Sequence, residues 1–89
     1  MPAKFDLGKM VMTRGARSSV PVMDMLGAMG RHLRGDWGDV DAEDRATNDR
    51  ALEGGGRLLS AYHTKSRVKF WIITEADRSA TTVLLPEEY

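Results

Sequence analysis

Between Arg57 and Leu85 three β-rich runs follow one another with little between them. Arg57 to Thr64, Val68 to Glu75 and Ala80 to Leu85 are separated only by the polar turns Lys65-Ser66-Arg67 and Ala76-Asp77-Arg78-Ser79. Turns this short leave no length for a crossover, so consecutive runs must pair antiparallel, as a meander. In the central run Val68, Phe70, Ile72 and Thr74 share one face while Trp71 and Ile73 take the other, and both faces therefore need partial cover.

Ahead of the meander the spacing changes. Lys4 to Met12 alternates loosely, with Phe5, Leu7 and Val11 on one side and Met10 and Met12 on the other, and it stops at the turn-forming Thr13-Arg14-Gly15; this predicts a first strand. From Val22 the apolar positions Val22, Leu26, Met29 and Leu33, with Met25 on the same stripe, follow a 3.6-residue period. That spacing predicts a helix over Val20 to Arg34 whose stripe faces the sheet. Ser19 is placed to cap it, Pro21 suits its first turn, and Gly35 suits the left-handed residue beyond its end. Asp41, followed by Glu43 and Asp44, marks the start of a second helix that ends at Glu53 before Gly54-Gly55-Gly56. Its apolar residues Ala42, Ala46, Ala51 and Leu52 form a thin strip, so most of it is solvated. The order is β-α-α-β-β-β: a small single α+β domain over residues 1–89, an antiparallel meander with helices packed on the sheet.

A chain of 89 residues, 42% of them hydrophobic, has material for one core. It has no cysteine, hence no disulfide, thiolate nucleophile or cysteine-based zinc site, and a reducing compartment suits it. The start MPAKFDLGKM lacks an apolar signal region, and the apolar run Phe70 to Ile73 is far below the ~20 residues of a spanning helix; the expected location is the cytoplasm. Thirteen basic residues balance thirteen acidic ones, so nucleic acid is neither advertised nor excluded as a partner. The charge is nonetheless blocked: six positive against two negative over residues 1–34, two against seven over 35–56, four against none over 57–71 and one against four over 72–89. Such blocks predict either elements whose charged faces complement one another or an interaction surface.

The stretch from Trp71 through Glu75-Ala76-Asp77-Arg78-Ser79 to Leu84-Leu85-Pro86-Glu87-Glu88-Tyr89 resembles the closing signature of a family of short bacterial proteins labelled plasmid-related. Gly35-Asp36-Trp37-Gly38-Asp39, Glu43-Asp44, Asn48 and Arg57-Leu58-Leu59-Ser60-Ala61-Tyr62 are similar to its middle motifs, so the resemblance covers most of the chain after His32. It implies a setting of plasmids and other mobile elements, and no catalytic roles. A restriction-methyltransferase label borne by some relatives does not transfer, because the chain has no Asn-Pro-Pro-aromatic motif and no room for a cofactor domain.

Asp39, Asp41 and Glu43 have the early spacing of a calcium loop, but Asp44 stands where that loop requires glycine and Arg50 where it requires glutamate. No metal or cofactor is expected. His32 near Asp36 has the ingredients of a general base, or is a helix-end histidine favoured by the dipole; His63 is expected in solvent. Glu75, Asp77 and Arg78 cluster at a hairpin tip, either as a self-stabilised turn or as a partner clamp. Gly54-Gly55-Gly56 lacks the Lys-Ser or Lys-Thr of a phosphate loop and is a connector. Met10, Met12, Met23, Met25 and Met29 exceed what a small core needs, and Gly27 and Gly30 weaken the first helix unless another backbone approaches, as in a homodimer through that helix.

The resulting expectation is a non-enzymatic module of mobile elements that binds another protein, as an inhibitor or adaptor acting on host defence machinery. Trp37 would be the anchor of its contact surface, Asp36, Asp39, Asp41, Glu43 and Asp44 the rim, and Glu75, Asp77 and Arg78 a second contact. The alternative is a small RelE-like ribonuclease toxin, from the similar element order. Against it stands a last strand, Ala80 to Leu85, without Arg, Lys or His.

Overall fold

The computed structural model describes residues 3–89. The elements run β1 (Lys9–Met12), α1 (Arg14–Ser19), α2 (Val22–Leu33), α3 (Ala42–Gly54), β2 (Leu58–His63), β3 (Lys69–Thr74), β4 (Ala80–Leu84) and a 3-10 turn at Pro86–Glu88. The sheet order is β1-β4-β3-β2. The meander is antiparallel as its turns require, with Ser60 opposite Ile72 and Ile72 opposite Val83. β1 lies parallel to β4, from Lys9 beside Ala80 to Met12 beside Val83, so the small α+β domain has a mixed sheet.

Three local features differ from the sequence expectation. The first strand does not reach back to Lys4, because at Gly8 the backbone takes φ +67° and a Cβ would stand 2.4 Å from the Ser79 carbonyl carbon. Thr13-Arg14-Gly15 is the start of an additional helix, not a turn: the Thr13 hydroxyl accepts from the Ala16 amide at 3.2 Å and Ala16 is buried. That helix stops at Val20, which is extended ahead of Pro21, the residue class that disfavours helical backbone before it. Ser19 therefore ends α1 and does not cap α2. At the other end of α2 Gly35 is left-handed as expected, and the bonds from the Gly35 amide to the His32 carbonyl and from the Asp36 amide to the Arg31 carbonyl close a Schellman motif.

The largest correction concerns which face of α2 is inside. Ala28, Met29 and His32 are buried and Met25 is half-buried, whereas Val22 is 66% and Leu26 55% exposed. Relative to the Val22-Leu26-Met29-Leu33 stripe the helix is rotated by roughly a quarter turn. The rotation places His32 inside, where both ring nitrogens are hydrogen-bonded, and it turns Val22 and Leu26 to solvent.

α1 and α2 cover one face of the sheet: Ala16, Val20, Ala28 and Met29 form one cluster with Tyr62, Phe70, Ile72, Val83 and Leu85. A second cluster joins Trp37, Ala51 and Leu58 to Phe5, Val40 and Leu52, between α3 and the start of β2. On the opposite face Tyr89, beyond the 3-10 turn, folds back against Trp71, with ring centroids 5.7 Å apart, and its hydroxyl accepts from Arg57 at 3.0 Å. Because Met29 is in the core and Leu26 is not, Met29→Ala is expected to cost ~2–5 kcal/mol and Leu26→Ala less than about 0.5 kcal/mol in urea unfolding.

Candidate functional site

The acidic segment is built into the fold more deeply than a contact surface needs. Asp36 receives the Arg31 guanidinium on both oxygens, at 2.8 and 3.2 Å, and this pairing holds its carboxyl below the usual range. Its carbonyl accepts the Tyr62 hydroxyl at 2.7 Å. Trp37 is only 2% exposed, stacked on Phe5 and edge-on to His32, and its indole N–H donates to Asp49 at 2.9 Å. It is a core residue and cannot anchor a partner from the surface; Asp49, in turn, is not an idle residue of a solvated face. The Asp41 carboxylate accepts from the Asp44 amide at 2.8 Å and caps α3 as expected. Of the expected rim, Asp39, Asp41, Glu43 and Asp44 are exposed, but they surround no apolar centre formed by Trp37.

What this segment does is close an edge of the sheet. Ala61 donates to the Trp37 carbonyl at 3.0 Å and accepts from the Asp39 amide at 2.7 Å, a parallel bridge centred on Gly38. Gly38 is left-handed there, and a Cβ would fall 2.1 Å from the Ala61 oxygen. Two residues earlier on β2, Asn48 of α3 replaces a strand: its amide nitrogen donates to the Leu59 carbonyl at 2.8 Å and its oxygen accepts from the Leu59 amide at 3.1 Å. The sequence reading named Asn48 only within the family resemblance and gave it no role, although its position three and four residues before Ala51 and Leu52 on the same strip of α3 is a usable signal.

His32 is fully buried and does not meet Asp36. Its Nδ1 bonds to the Ser60 hydroxyl, its Nε2 to the Thr74 hydroxyl at 2.9 Å, Thr74 to Thr81 at 2.8 Å, and Thr81 donates to the Leu7 carbonyl at 2.7 Å. The last bond fixes the direction of the rest. Thr81 must accept from Thr74 and Thr74 from the Nε2–H of His32; in the neutral ring that burial favours, Nδ1 accepts from Ser60. Burial, reinforced by the nearby Arg78 charge, lowers its pKa to about 4. A sealed, neutral imidazole with both nitrogens engaged is a structural group.

Glu75, Asp77 and Arg78 do not converge. Glu75 pairs with Arg57 at 3.5 Å, and Asp77 accepts from the Ser79 amide at 3.0 Å. Arg78 donates to the carbonyls of Ala51 and Gly56 at 2.9 and 2.6 Å and to Glu75 and Ala76 beside it, which ties the end of α3 to the β3–β4 turn. His63 is exposed, as expected. Among the described residues no three His, Asp or Glu side chains are grouped to hold a metal ion, and no helix is long and apolar enough to cross a membrane.

The surface that stands out includes Val22 and Leu26, which the sequence reading had turned toward the sheet. Val22, Met23 (75% exposed) and Leu26 project from α2, and Gly27 beside them has open space where a Cβ would be. Among the described residues no backbone outside the helix lies within 4 Å of where a Cβ on Gly27 or Gly30 would stand. Met23 and Gly27 also line a cleft of about 310 Å³ that continues to Arg31, Tyr62, His63 and Lys65 at the end of β2. No family model, curated protein or solved structure matches the chain.

Two measurements follow. Asn48→Ala leaves the Leu59 amide and carbonyl without partners and is expected to cost ~1–3 kcal/mol, with faster exchange of the Leu59 amide. His32 has a folded pKa near 4, below the ~6.5 of an unfolded histidine. The unfolded chain therefore takes up a proton that the folded one refuses as pH falls from about 6.5 to 4, and about 3 kcal/mol of stability is lost across that window and no more below it. Urea unfolding at stepped pH, compared with His32→Gln, isolates this loss from that of the carboxylates.

Proposed function

We propose that the chain is a non-enzymatic protein-interaction module of mobile elements that docks a protein partner on the outward face of α2. The observation that carries the reading is the grouping of Val22, Met23 and Leu26, exposed around Gly27, on one helix beside a cleft. Large exposed apolar side chains gathered on one element mark contact sites far more often than scattered ones do, and methionine adapts to varied partner shapes. The glycines allow a partner backbone to approach closely, including that of a second copy of α2. The exposed carboxylates of Asp39, Asp41, Glu43 and Asp44 then act at a distance, steering a basic partner such as host defence machinery directed at nucleic acid. The mobile-element setting rests on the resemblance of the closing stretch and the middle motifs.

A RelE-like ribonuclease is the alternative, supported by the element order and weakened by two observations. His32, the residue best suited to general-base work, is sealed from solvent, and Ala80–Leu84 carries no Arg, Lys or His for phosphate. The expected result is that Met23→Glu with Leu26→Glu leaves melting unchanged and abolishes recovery of the native partner from host extract. Transcript cleavage by purified protein, lost on a single substitution at Arg57 or Arg78 that still folds, would replace this reading with the ribonuclease.

A further inference from the structure

The two edges of the sheet are treated in opposite ways. Along β2 the outward backbone groups of Leu59 and Ala61 are occupied by Asn48 and by the Trp37–Asp39 segment. β1 is the other edge, and among the described residues no strand lies outside it. The Lys9 amide donates to Ser79 and the Thr13 amide to Val83, so alternation along the strand turns the amides and carbonyls of Met10 and Met12 away from β4. Exposed side chains accompany them: Met10 toward one face of the sheet and Val11 toward the other. An added strand would find hydrogen-bonding groups at its backbone and apolar surface on both sides.

Charge selects the occupant. Lys9 is exposed on the strand itself, and Arg14 and Arg17 line an open recess of about 400 Å³ with Met12 and Ser18 at its end. The carboxylate beside them, Glu88, is committed to the Thr13 hydroxyl and the amides of Gly15 and Leu85. A second copy placed edge to edge would oppose Lys9, Arg14 and Arg17 to themselves, and a lysine on a short edge strand is a common guard against such self-pairing. We propose that the outer edge of β1 takes an extended, acidic segment of another protein as an added strand. Backbone bonds to Met10 and Met12 supply the affinity, and Lys9, Arg14 and Arg17 supply the preference for carboxylates. This surface lies at the opposite edge of the sheet from the α2 cleft and stands independently of it.

The test uses the whole chain and a blocked peptide of alternating glutamate and valine. The expected result is binding that weakens with salt and slows exchange of the Met10 and Met12 amides by about tenfold or more. The same peptide N-methylated on every second amide, which cannot form the ladder, should not bind. Met10→Pro should fold normally, because its amide faces no strand, and lose the peptide. Lys9→Glu with Arg17→Glu should weaken it by about tenfold. The proposal is overturned by an unprotected edge, by equal binding of a lysine–valine peptide or of the N-methylated one, or by undiminished binding to folded Met10→Pro. It is also overturned if the two amides are protected without peptide at concentrations where sedimentation shows a dimer, since the occupant is then a second copy.

Discussion

A neutral imidazole in the middle of this protein connects α2, β2 and β3 directly, and through two threonine hydroxyls it reaches β4 and the segment before β1. Each hydroxyl in the series passes its single proton in one direction, so the bonds are satisfied together or not at all. The orientation of α2 follows from this. With His32 turned inward, Ala28 and Met29 must meet Tyr62 and Phe70, and Val22, Met23 and Leu26 are left outside. The side chains of the proposed docking face are thus exposed because a polar residue claimed the interior. Phe5 and Trp37 pack on the edges of the same ring, which brings the second cluster into the arrangement.

Two further polar groups do the work of missing backbone. Asn48 occupies the edge of β2 with one amide group that both donates and accepts, and Arg78 gathers four carbonyls at the end of α3 and in the β3–β4 turn. Both are single side chains standing in for secondary structure, and in a domain this small they take the place of an additional strand and an additional cap.

This explains which parts of the molecule are legible in the amino-acid sequence. The meander is legible because turns of three or four residues allow one pairing, and the start of α3 is legible because an Asp41 oxygen at the right offset caps whatever follows it. Gly35 is legible for a similar local reason. The buried face of α2 is not, because hydropathy counts His32 as polar while its two bonds let it pack as an aromatic ring. α1 escapes because six residues with Ala16 as the buried one show no period. The acidic segment reads as a binding site because its charges are visible and its job, pairing with Ala61, depends on backbone. The surplus methionines and the glycines of α2 hint at an exposed face on that helix, but which side chains form it, and that the β1 edge is open, follow only from the interior.

β4 is hydrogen-bonded on both sides, yet the strands it joins are both earlier in the chain, β1 by about seventy residues and β3 by a single turn. During synthesis β1 and α1 leave the ribosome with nothing to pair with, and β2 and β3 form a hairpin whose inner side is still bare. Only when Ala80–Leu84 emerges can it insert between them, bringing Leu7, Met12 and Val20 against the core at one stroke. Met12 and Phe70, which the finished fold covers, therefore stay uncovered until Ala80–Leu84 is made.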